Sequence, residues 1–461
     1  MNKFELSSEV DNEKIFLINL SDIEGRIDPV YYKLKHKYSF NTVKLSNLLN
    51  DVFQGQVQGT QEQQAIKVLK VKNLDLFGNI DFDDVTYTND MNDRKILKKG
   101  DIITPFRGQT IFTNKFAFFD SNEIVTIDNN LGIIRLDSEK IIPKFFRYYI
   151  SSKIGFNEIL KNVGGAGIPA LTKDIIANID VPILSFEKQQ TIIRIMDNTY
   201  LKKQQKEQEA KKLLESIDSY LLDELGITLP EVDKALEKRI FEVNFSEISG
   251  WRFDPDYKIK MNNLENLTWS FPLVELKDII IGNSQYGANE TAQIPKSEND
   301  IRYIRITDID ELGLLKDGDW RTVSKIEEQY LLNYNDILFA RSGSVGKCYI
   351  HKNMDKKSIF AGYLIRFVLN KEKINPDYLF FYCNSSIYRY WVSAIERPAV
   401  QSNINSEEYK SLKIPLPLIE KQNEIADYIQ AIRDKAKQLQ REAKKALEDA
   451  KIEVEKLILG N

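Results

Sequence analysis

Three peptides carry residue types that could act on a nucleobase amine. Adenine methyltransferases place Asn or Asp, two prolines and an aromatic ring around the amine, and Asp28-Pro29-Val30-Tyr31, Asp254-Pro255-Asp256-Tyr257 and Asn375-Pro376-Asp377-Tyr378 approach that order. None has the second proline, and no strand with a Gly-rich turn for S-adenosylmethionine precedes any of them. A proline that opens a turn or a helix accounts for all three. Cys348, Cys383, His36 and His351 are the whole supply of their types. They fit neither a disulfide scaffold, nor zinc-ligand spacing, nor a nucleophile paired with a base. No GxxxxGK[ST] phosphate loop is present, and the Gly-rich stretches 163–167 and 342–346 lack the strand-then-helix context of a dinucleotide site. Asp and Glu total 68, so a carboxylate-only nuclease stays open on residue type, though no acidic cluster beside a lysine recurs.

Binding chemistry is better represented. Between Phe339 and Arg366 stand Arg341, Lys347, Lys352, Lys356, Lys357 and Arg366 against one acid, Asp355; between Thr104 and Phe119 stand Arg107 and Lys115 with none. Arg, Gln, Ser and Thr on loops can meet base edges in a DNA major groove, while Lys neutralises phosphate. Candidate DNA contacts are therefore Arg107, Gln109, Thr110 and Lys115 in one loop and Arg341, Ser342, Ser344 and Lys347 in another. A second loop pair holds Gln54, Gln56 and Gln58, and Asn283, Gln285 and Tyr286. A third covers residues 164–169 and 397–403, the latter with Arg397, Gln401 and Asn403. Each residue taken singly also reads as a solvated surface side chain.

These loops need a frame, and the chain writes that frame twice. Residues 13–33 and 237–258 share Arg-x-Asp-Pro-x-Tyr starts, one with Arg26, Asp28, Pro29 and Tyr31, the other with Arg252, Asp254, Pro255 and Tyr257. Collinear matches follow at offsets of 231 to 235: 43–49 with 274–280, 68–74 with 303–309, 100–111 with 335–346, 133–136 with 364–367, 179–192 with 412–425 and 209–214 with 442–447. A period of about 230 residues is too long for a solenoid and implies two copies of one domain. The front of each copy alternates β-rich runs with Gly breaks, with strands expected in 68–82 and 303–320. An aromatic segment opened by Pro143 or Pro376 follows and suits a short helix. Hydrophobic residues make up 42% of the chain and charged residues 29%, with a net charge of -4. That allows buried cores and argues against a wholly basic nucleic-acid coat. The start lacks a signal-peptide pattern and no apolar run reaches the ~18 residues of a membrane span, so a soluble, cytoplasmic protein is expected.

The back of each copy is helical. Glu187–Leu225 and Glu420–Leu459 contain no Pro or Gly and are rich in helix formers. Ile425, Ile432, Leu439 and Ala446 recur every seven residues, interleaved with Ile429, Ala436, Ala443, Ala450 and Leu457, which is a coiled-coil heptad. Ile192, Met196, Ala210, Leu213 and Ile217 hold matching places in the first helix, but Lys203 and Lys206 interrupt its stripe and leave the register open. At 1.5 Å per residue each helix is roughly 60 Å long.

Two α+β domains, each closing on a Pro-Leu-Pro-like strand end, then Glu-Lys-Gln and a long helix, resemble the specificity (S) subunits of type I restriction–modification systems. The marks are Ile414-Pro415-Leu416-Pro417-Leu418-Ile419-Glu420-Lys421-Gln422 and the paired Arg-x-Asp-Pro-x-Tyr starts; Pro182-Ile183-Leu184 is a poorer copy. The resemblance spans about residues 13–460. It implies an α+β fold with a pseudo-two-fold internal repeat. Two similar target recognition domains (1–186 and 227–419) are separated by two long antiparallel helices (187–226 and 420–461) forming a coiled coil. Each domain would bind half of an asymmetric, bipartite site in double-stranded DNA. The helices would pack through Ile192, Met196, Leu213, Ile217, Ile425, Ile429, Ile432 and Leu439 and dock two modification (methylase) subunits, with restriction subunits as further partners. S-adenosylmethionine, ATP and Mg would belong to those partners; this chain would hold no cofactor or metal and catalyse nothing. The alternatives on residue type alone are a methyltransferase or nuclease with atypical motifs, and a coiled-coil adaptor with no DNA role.

Overall fold

Short strands whose successive residues are all apolar can be satisfied only in a sheet covered on both faces, and that requirement shapes each half of the chain. The computed structural model describes residues 7, 15–23, 29–34, 41–55, 59–89, 92, 94–163, 169–229, 242, 244, 254–316, 318–396 and 402–459. The chain divides into two compact units, residues 1–206 with 441–461, and residues 207–440.

In the first unit α1 (Pro29–Leu34) precedes β1 (Thr42–Lys44), β2 (Leu49–Gln54), β3 (Ile66–Leu69), β4 (Thr86–Thr88), β5 (Ile102–Pro105), β6 (Ala117–Phe118), β7 (Val125–Ile127) and β8 (Leu131–Leu136). Helices α2 (Pro143–Ser151), α3 (Lys153–Leu160) and α4 (Lys173–Ala177), strand β9 (Asp180–Pro182) and the long α5 (Phe186–Leu225) follow. The second unit holds α6 (Pro255–Glu265), β10 (Leu273–Glu275), β11 (Gln285–Tyr286), β12 (Arg302–Ile304), β13 (Ile337–Ala340), β14 (Cys348–Ile350), β15 (Ser358–Phe360) and β16 (Leu364–Phe367). It continues through α7 (Pro376–Tyr382), α8 (Ser386–Ile395), α9 (Ser406–Lys410), β17 (Lys413–Pro415) and the long α10 (Ile419–Leu459).

Sheet order repeats between the units. An antiparallel sheet ordered β2-β8-β5-β6 in one has β11-β16-β13-β14 as its counterpart. The parallel pair β3·β7 matches β12·β15, and the antiparallel pair β1·β9 matches β10·β17. Val52, Ile102 and Ile134 face the helices, while Phe53, Ile103 and Ile133 face Leu69, Val125 and Ile127 of the smaller sheet. In the second unit Ile337, Phe339, Ile365 and Phe367 face the helices, and Leu338, Ala340 and Leu364 face Ile304 and Phe360. Asp101 with Arg135 and Asp336 with Arg366 repeat as ion pairs at the sheet's margin. Their strand registers differ, since Ile102 faces Ile134 whereas Ile337 faces Phe367. Matching 133–136 to 364–367 therefore aligns the arginines but lies two residues away from the strand pairing.

The strands expected across 68–82 and 303–320 are shorter than their β-rich composition suggested. After β3 and β12 the chain turns into single 3-10 turns at Val71–Asn73 and Ile306–Asp308. The Lys70 N–H donates to Asn73 Oδ1 at 2.8 Å and the Arg305 N–H to Asp308 Oδ2 at 2.9 Å. A polar side chain three residues on competes with the ladder for those donors.

Pro143 and Pro376 do open helices, but each aromatic segment splits in two. Ser152 and Ser385 restart the chain as N-caps, accepting from Gly155 N and Tyr388 N. Gln189 and Gln422, each buried, tie the long helices to these segments. Gln189 Oε1 accepts from the Ile142 N–H at 2.9 Å while its Nε2 donates to the Leu184 carbonyl at 2.9 Å. Gln422 repeats both bonds with the Asn375 N–H at 2.8 Å and the Pro417 carbonyl at 2.9 Å.

Within each unit the long helices run antiparallel. In the first, Lys206 is ion-paired with Glu442, and Ile192 and Met196 share a core with Ala450 and Val454. In the second, Tyr220 packs on Tyr428 with ring centroids 4.2 Å apart, Lys421 pairs with Glu224 at 2.6 Å, and Ala210 meets Ala436 and Leu439. Lys203 is buried with its ammonium 3.9 Å from the centre of the Phe77 ring. The expected heptad of α10 holds from Ile425 to Ala443, with Ile432 half-buried, and then changes, although Ala450 keeps its buried place. Leu447, Val454 and Ile458 are buried, whereas Ala446 and Leu457 are only half-buried. Two four-residue steps in succession, 439 to 443 to 447, make a stutter, which locally unwinds a left-handed supercoil. Leu447, Val454 and Ile458 join the core beneath α2 and α3, so the domain selects that stripe. Among the described residues no helix is long and apolar enough to cross a membrane.

Two measurements follow from these contacts. Gln422→Leu leaves the Asn375 N–H and the Pro417 carbonyl buried without partners, each worth about 1–3 kcal/mol. Urea unfolding should show a loss of about 2–4 kcal/mol, and a loss below 1 kcal/mol would remove the tie's structural role. His351 is fully buried, with its Nδ1 2.9 Å from the Tyr349 hydroxyl, and burial pushes its imidazole down to about 4. The unfolded chain takes up this proton first as pH falls through about 6.5. Stability is therefore intact above that pH and drains away between 6.5 and 4. Unfolding of wild type and His351→Gln at pH 7 and pH 5 should differ in pH dependence by about 1–2 kcal/mol, with the variant flatter.

Candidate nucleic-acid interface

The residues that leave the central strands set the site. Arg341 follows β13. Its N–H donates to the Tyr363 carbonyl at 2.9 Å and its carbonyl accepts from the Ile404 N–H at 2.8 Å. Ser342 then pairs with Asn403 in an antiparallel bridge. Three loops distant in sequence, after β13, before β16 and before α9, are so drawn together. Tyr286 at the end of β11 pairs with Ile365 and brings its ring beneath Arg341, 4.7 Å from guanidinium carbon to ring centre. The Tyr286 hydroxyl accepts from the Ser406 N–H at 3.4 Å. Gly287 beside it permits the close approach, because a Cβ there would lie 2.3 Å from the Ala361 carbonyl oxygen. The result is an open cleft of about 540 Å³ lined by Tyr286, Gly287, Asn289, Tyr330, Arg341, Ser342, Gly362, Tyr363 and Asn403.

The first unit repeats the backbone of this arrangement with other side chains. Phe106 stands where Arg341 does, its N–H donating to the Asn130 carbonyl and its carbonyl accepting from the Leu171 N–H. Arg107 bridges Ala170 as Ser342 bridges Asn403. Gln54 stands where Tyr286 does, followed by Gly55, whose N–H donates to Leu131 as that of Gly287 donates to Leu364. The Phe106 ring lies against Gly132, where a Cβ would come within 2.2 Å of it. Arg107 is exposed, and Gln54 Nε2 donates to the Asn129 carbonyl.

Of the candidate contacts, Tyr286, Arg341, Ser342 and Asn403 line one cleft, while Asn283 and Ser344 are exposed outside its lining. Gln285 is engaged inside the fold by Arg366 and by the Gln329 carbonyl. Lys347 is held by Glu311 at 2.7 Å and by the Ile309 carbonyl at 3.1 Å, and that ammonium keeps the Glu311 carboxyl below its usual range. Lys115 donates to the Val71 carbonyl at 3.3 Å. Gln109 is exposed, and the Thr110 hydroxyl donates to the Arg107 carbonyl at 2.9 Å. Gln56, Gln58, Arg397 and Gln401 lie outside the described residues. Of the helix residues, Ile192, Met196, Ile425, Ile429 and Leu439 are buried; Leu213, Ile217 and Ile432 are half-buried. Asn289, Tyr330 and Tyr363 line the cleft without having been singled out in the sequence. Gly362-Tyr363 reads as a turn tip, but nothing in the sequence ties it to the loop after β13.

The electrostatics of the cleft centre on Arg341. In the second unit Arg302, Arg305, Arg321, Arg366, Arg389 and Arg433 each donate to a carboxylate or carbonyl. Among the described residues no hydrogen bond or ion pair engages the Arg341 guanidinium, and its Nε is buried without a partner. No group of three or more His, Cys, Asp or Glu among the described residues could hold a metal ion.

The family described as type I restriction modification DNA specificity domain matches residues 49–216 and again 271–449. The specificity subunit of the type I restriction enzyme MjaVIII of Methanocaldococcus jannaschii is 24% identical over 383 residues, covering 80% of each chain. The specificity subunit of the type I restriction enzyme EcoBI of Escherichia coli is 25% identical over 253 residues, 52% of each chain. A solved chain, described with the complex assembly and conformational transition of the type I R-M system, aligns with a TM-score of 0.54 at 13% identity over 92% of this chain and 99% of that one.

Proposed function

The chain belongs to the type I restriction–modification DNA specificity family, and from that premise we propose that its two units each read one half of a bipartite, asymmetric DNA site. It is the non-catalytic specificity subunit of such a system, with DNA and methylase or restriction subunits as its partners. The observation that carries the two-word reading is the repeated frame with exchanged side chains. Tyr286, Arg341, Ser342 and Asn403 occupy backbone positions that Gln54, Phe106, Arg107 and Ala170 occupy in the other unit. A frame held constant while its loop residues change suits two modules that read different words.

The functional division is residues 1–186 and 227–419 as recognition domains and 187–226 and 420–461 as helices. The helices take two modification subunits, and the work is done in the cytoplasm. Contacts come from Gln54, Gln56, Gln58, Arg107, Gln109, Thr110 and Lys115 in one domain. In the other they come from Asn283, Tyr286, Arg341, Ser342, Ser344, Arg397, Gln401 and Asn403, whereas Gln285 and Lys347 are committed within the fold. A net charge of -4 makes the chain by itself a weak DNA ligand, with partner subunits neutralising much of the phosphate charge.

Expressing the chain with a candidate methylase partner and mapping adenine methylation in those cells tests the reading. A split motif with a fixed gap is expected; one contiguous word, or no methylation with any methylase that binds the chain, would sink it. Helix length rather than loop sequence fixes the gap. Inserting four residues into the Lys202–Glu209 stretch should change the tolerated spacer and leave both half-site words unaltered.

A further inference from the structure

We propose that Arg341 reads a guanine within the half-site of residues 207–440, its guanidinium edge donating to guanine N7 and O6; this rests on the DNA reading proposed above. The first support is an unmet donor. Arg341 has no acceptor among the described residues and its Nε is buried without a partner. Nε is enclosed, but Nη1 and Nη2 are neither buried nor hydrogen-bonded within the described residues, so the outer edge of the guanidinium is left to an arriving acceptor. The second is preorganisation. The guanidinium carbon lies 4.7 Å from the centre of the Tyr286 ring, a cation–π contact that holds the side chain before any ligand comes and leaves less rotamer freedom to be lost.

The third support is chemical fit. A guanidinium offers donors and no acceptor. In the major groove only guanine presents two acceptors side by side, whereas adenine presents one acceptor and one donor, thymine one acceptor and a methyl group, and cytosine a donor. The walls agree with a base better than with a phosphate. Tyr330 and Tyr363 contribute aromatic rings to the lining, and Ser342 and Asn403 offer both donors and acceptors, which a phosphate does not need. Tyr363 is 60% exposed and Tyr286 38% exposed, so the cleft is open to an incoming ligand. Phe106 holds the equivalent position in the other unit and has no donor to offer, so the effect is confined to one half-site.

The test uses the full chain assembled with its methylase and a duplex library randomised at each half-site position, read by adenine methylation. Wild type should require guanine at one position of one half-site. Arg341→Gln should lower the preference for that guanine by about 10–100-fold and leave the other positions and the other half-site alone. Arg341→Lys, which keeps the charge and restores fold if charge alone matters, should lose about tenfold at the same position because a point charge lacks the fork. Phe106→Leu should leave that guanine untouched. A phosphate contact would instead make Lys nearly equal to wild type, with Gln weakening all sequences uniformly and reducing the salt slope by about 1; that pattern overturns the assignment. So does a wild-type motif without guanine in that half-site, or an unchanged guanine preference in both variants. If wild type methylates no bipartite motif, the DNA reading itself fails and takes this proposal with it.

Discussion

The architecture depends on a pair of buried glutamines. Gln189 and Gln422 each satisfy one backbone N–H at the start of an aromatic helix and one carbonyl of the strand-end segment that leads into the long helix. A helix start buried against a domain carries orphan donors, and the chain turning into it carries orphan carbonyls. One amide side chain, with a donor and an acceptor on the same plane, answers both at once. The direction in which each long helix leaves its domain is fixed by groups that would otherwise be buried unpaired.

The sheets obey a similar constraint. Because β5 and β13 are buried along their whole length, a charged side chain on them would be buried without a partner, and their turns inherit fixed positions. Variation is then pushed to the residues just past the strand ends, where Phe106 and Arg341 share a backbone environment but not a chemistry. Gly55 and Gly287 serve the same end, since any side chain there would strike a carbonyl oxygen. A repeated frame thus leaves the side-chain differences between the two units to a few positions past the strand ends.

The helix pair uses polarity where an apolar seam would leave its register undetermined. Lys206 meets Glu442 and Lys203 lies on Phe77 at positions where a plain heptad would carry aliphatic residues. Such a polar seam position costs stability and gains a defined register. The stutter after Ala443 shows the opposite influence, a domain core imposing its own spacing on α10.

Much of this was legible in the residues themselves. The duplication, the two long helices from Phe186 to Leu225 and from Ile419 to Leu459, and the proline-opened aromatic helices all follow from local pattern, because period, punctuation and repeat are properties of neighbouring positions. The Glu-Lys-Gln mark was visible, but its work was not, since the partners of Gln422 include a residue 47 positions away. The cleft was half legible: Tyr286, Arg341, Ser342 and Asn403 stood out as loop residues, whereas Tyr330, Tyr363 and Asn289 did not. Lys347 matched Arg341 in type, yet Glu311 and a carbonyl claim it. Which cation stays available, and which loops share a cleft, depend on strand pairing between segments far apart in the chain, and that is decided only when the sheet closes.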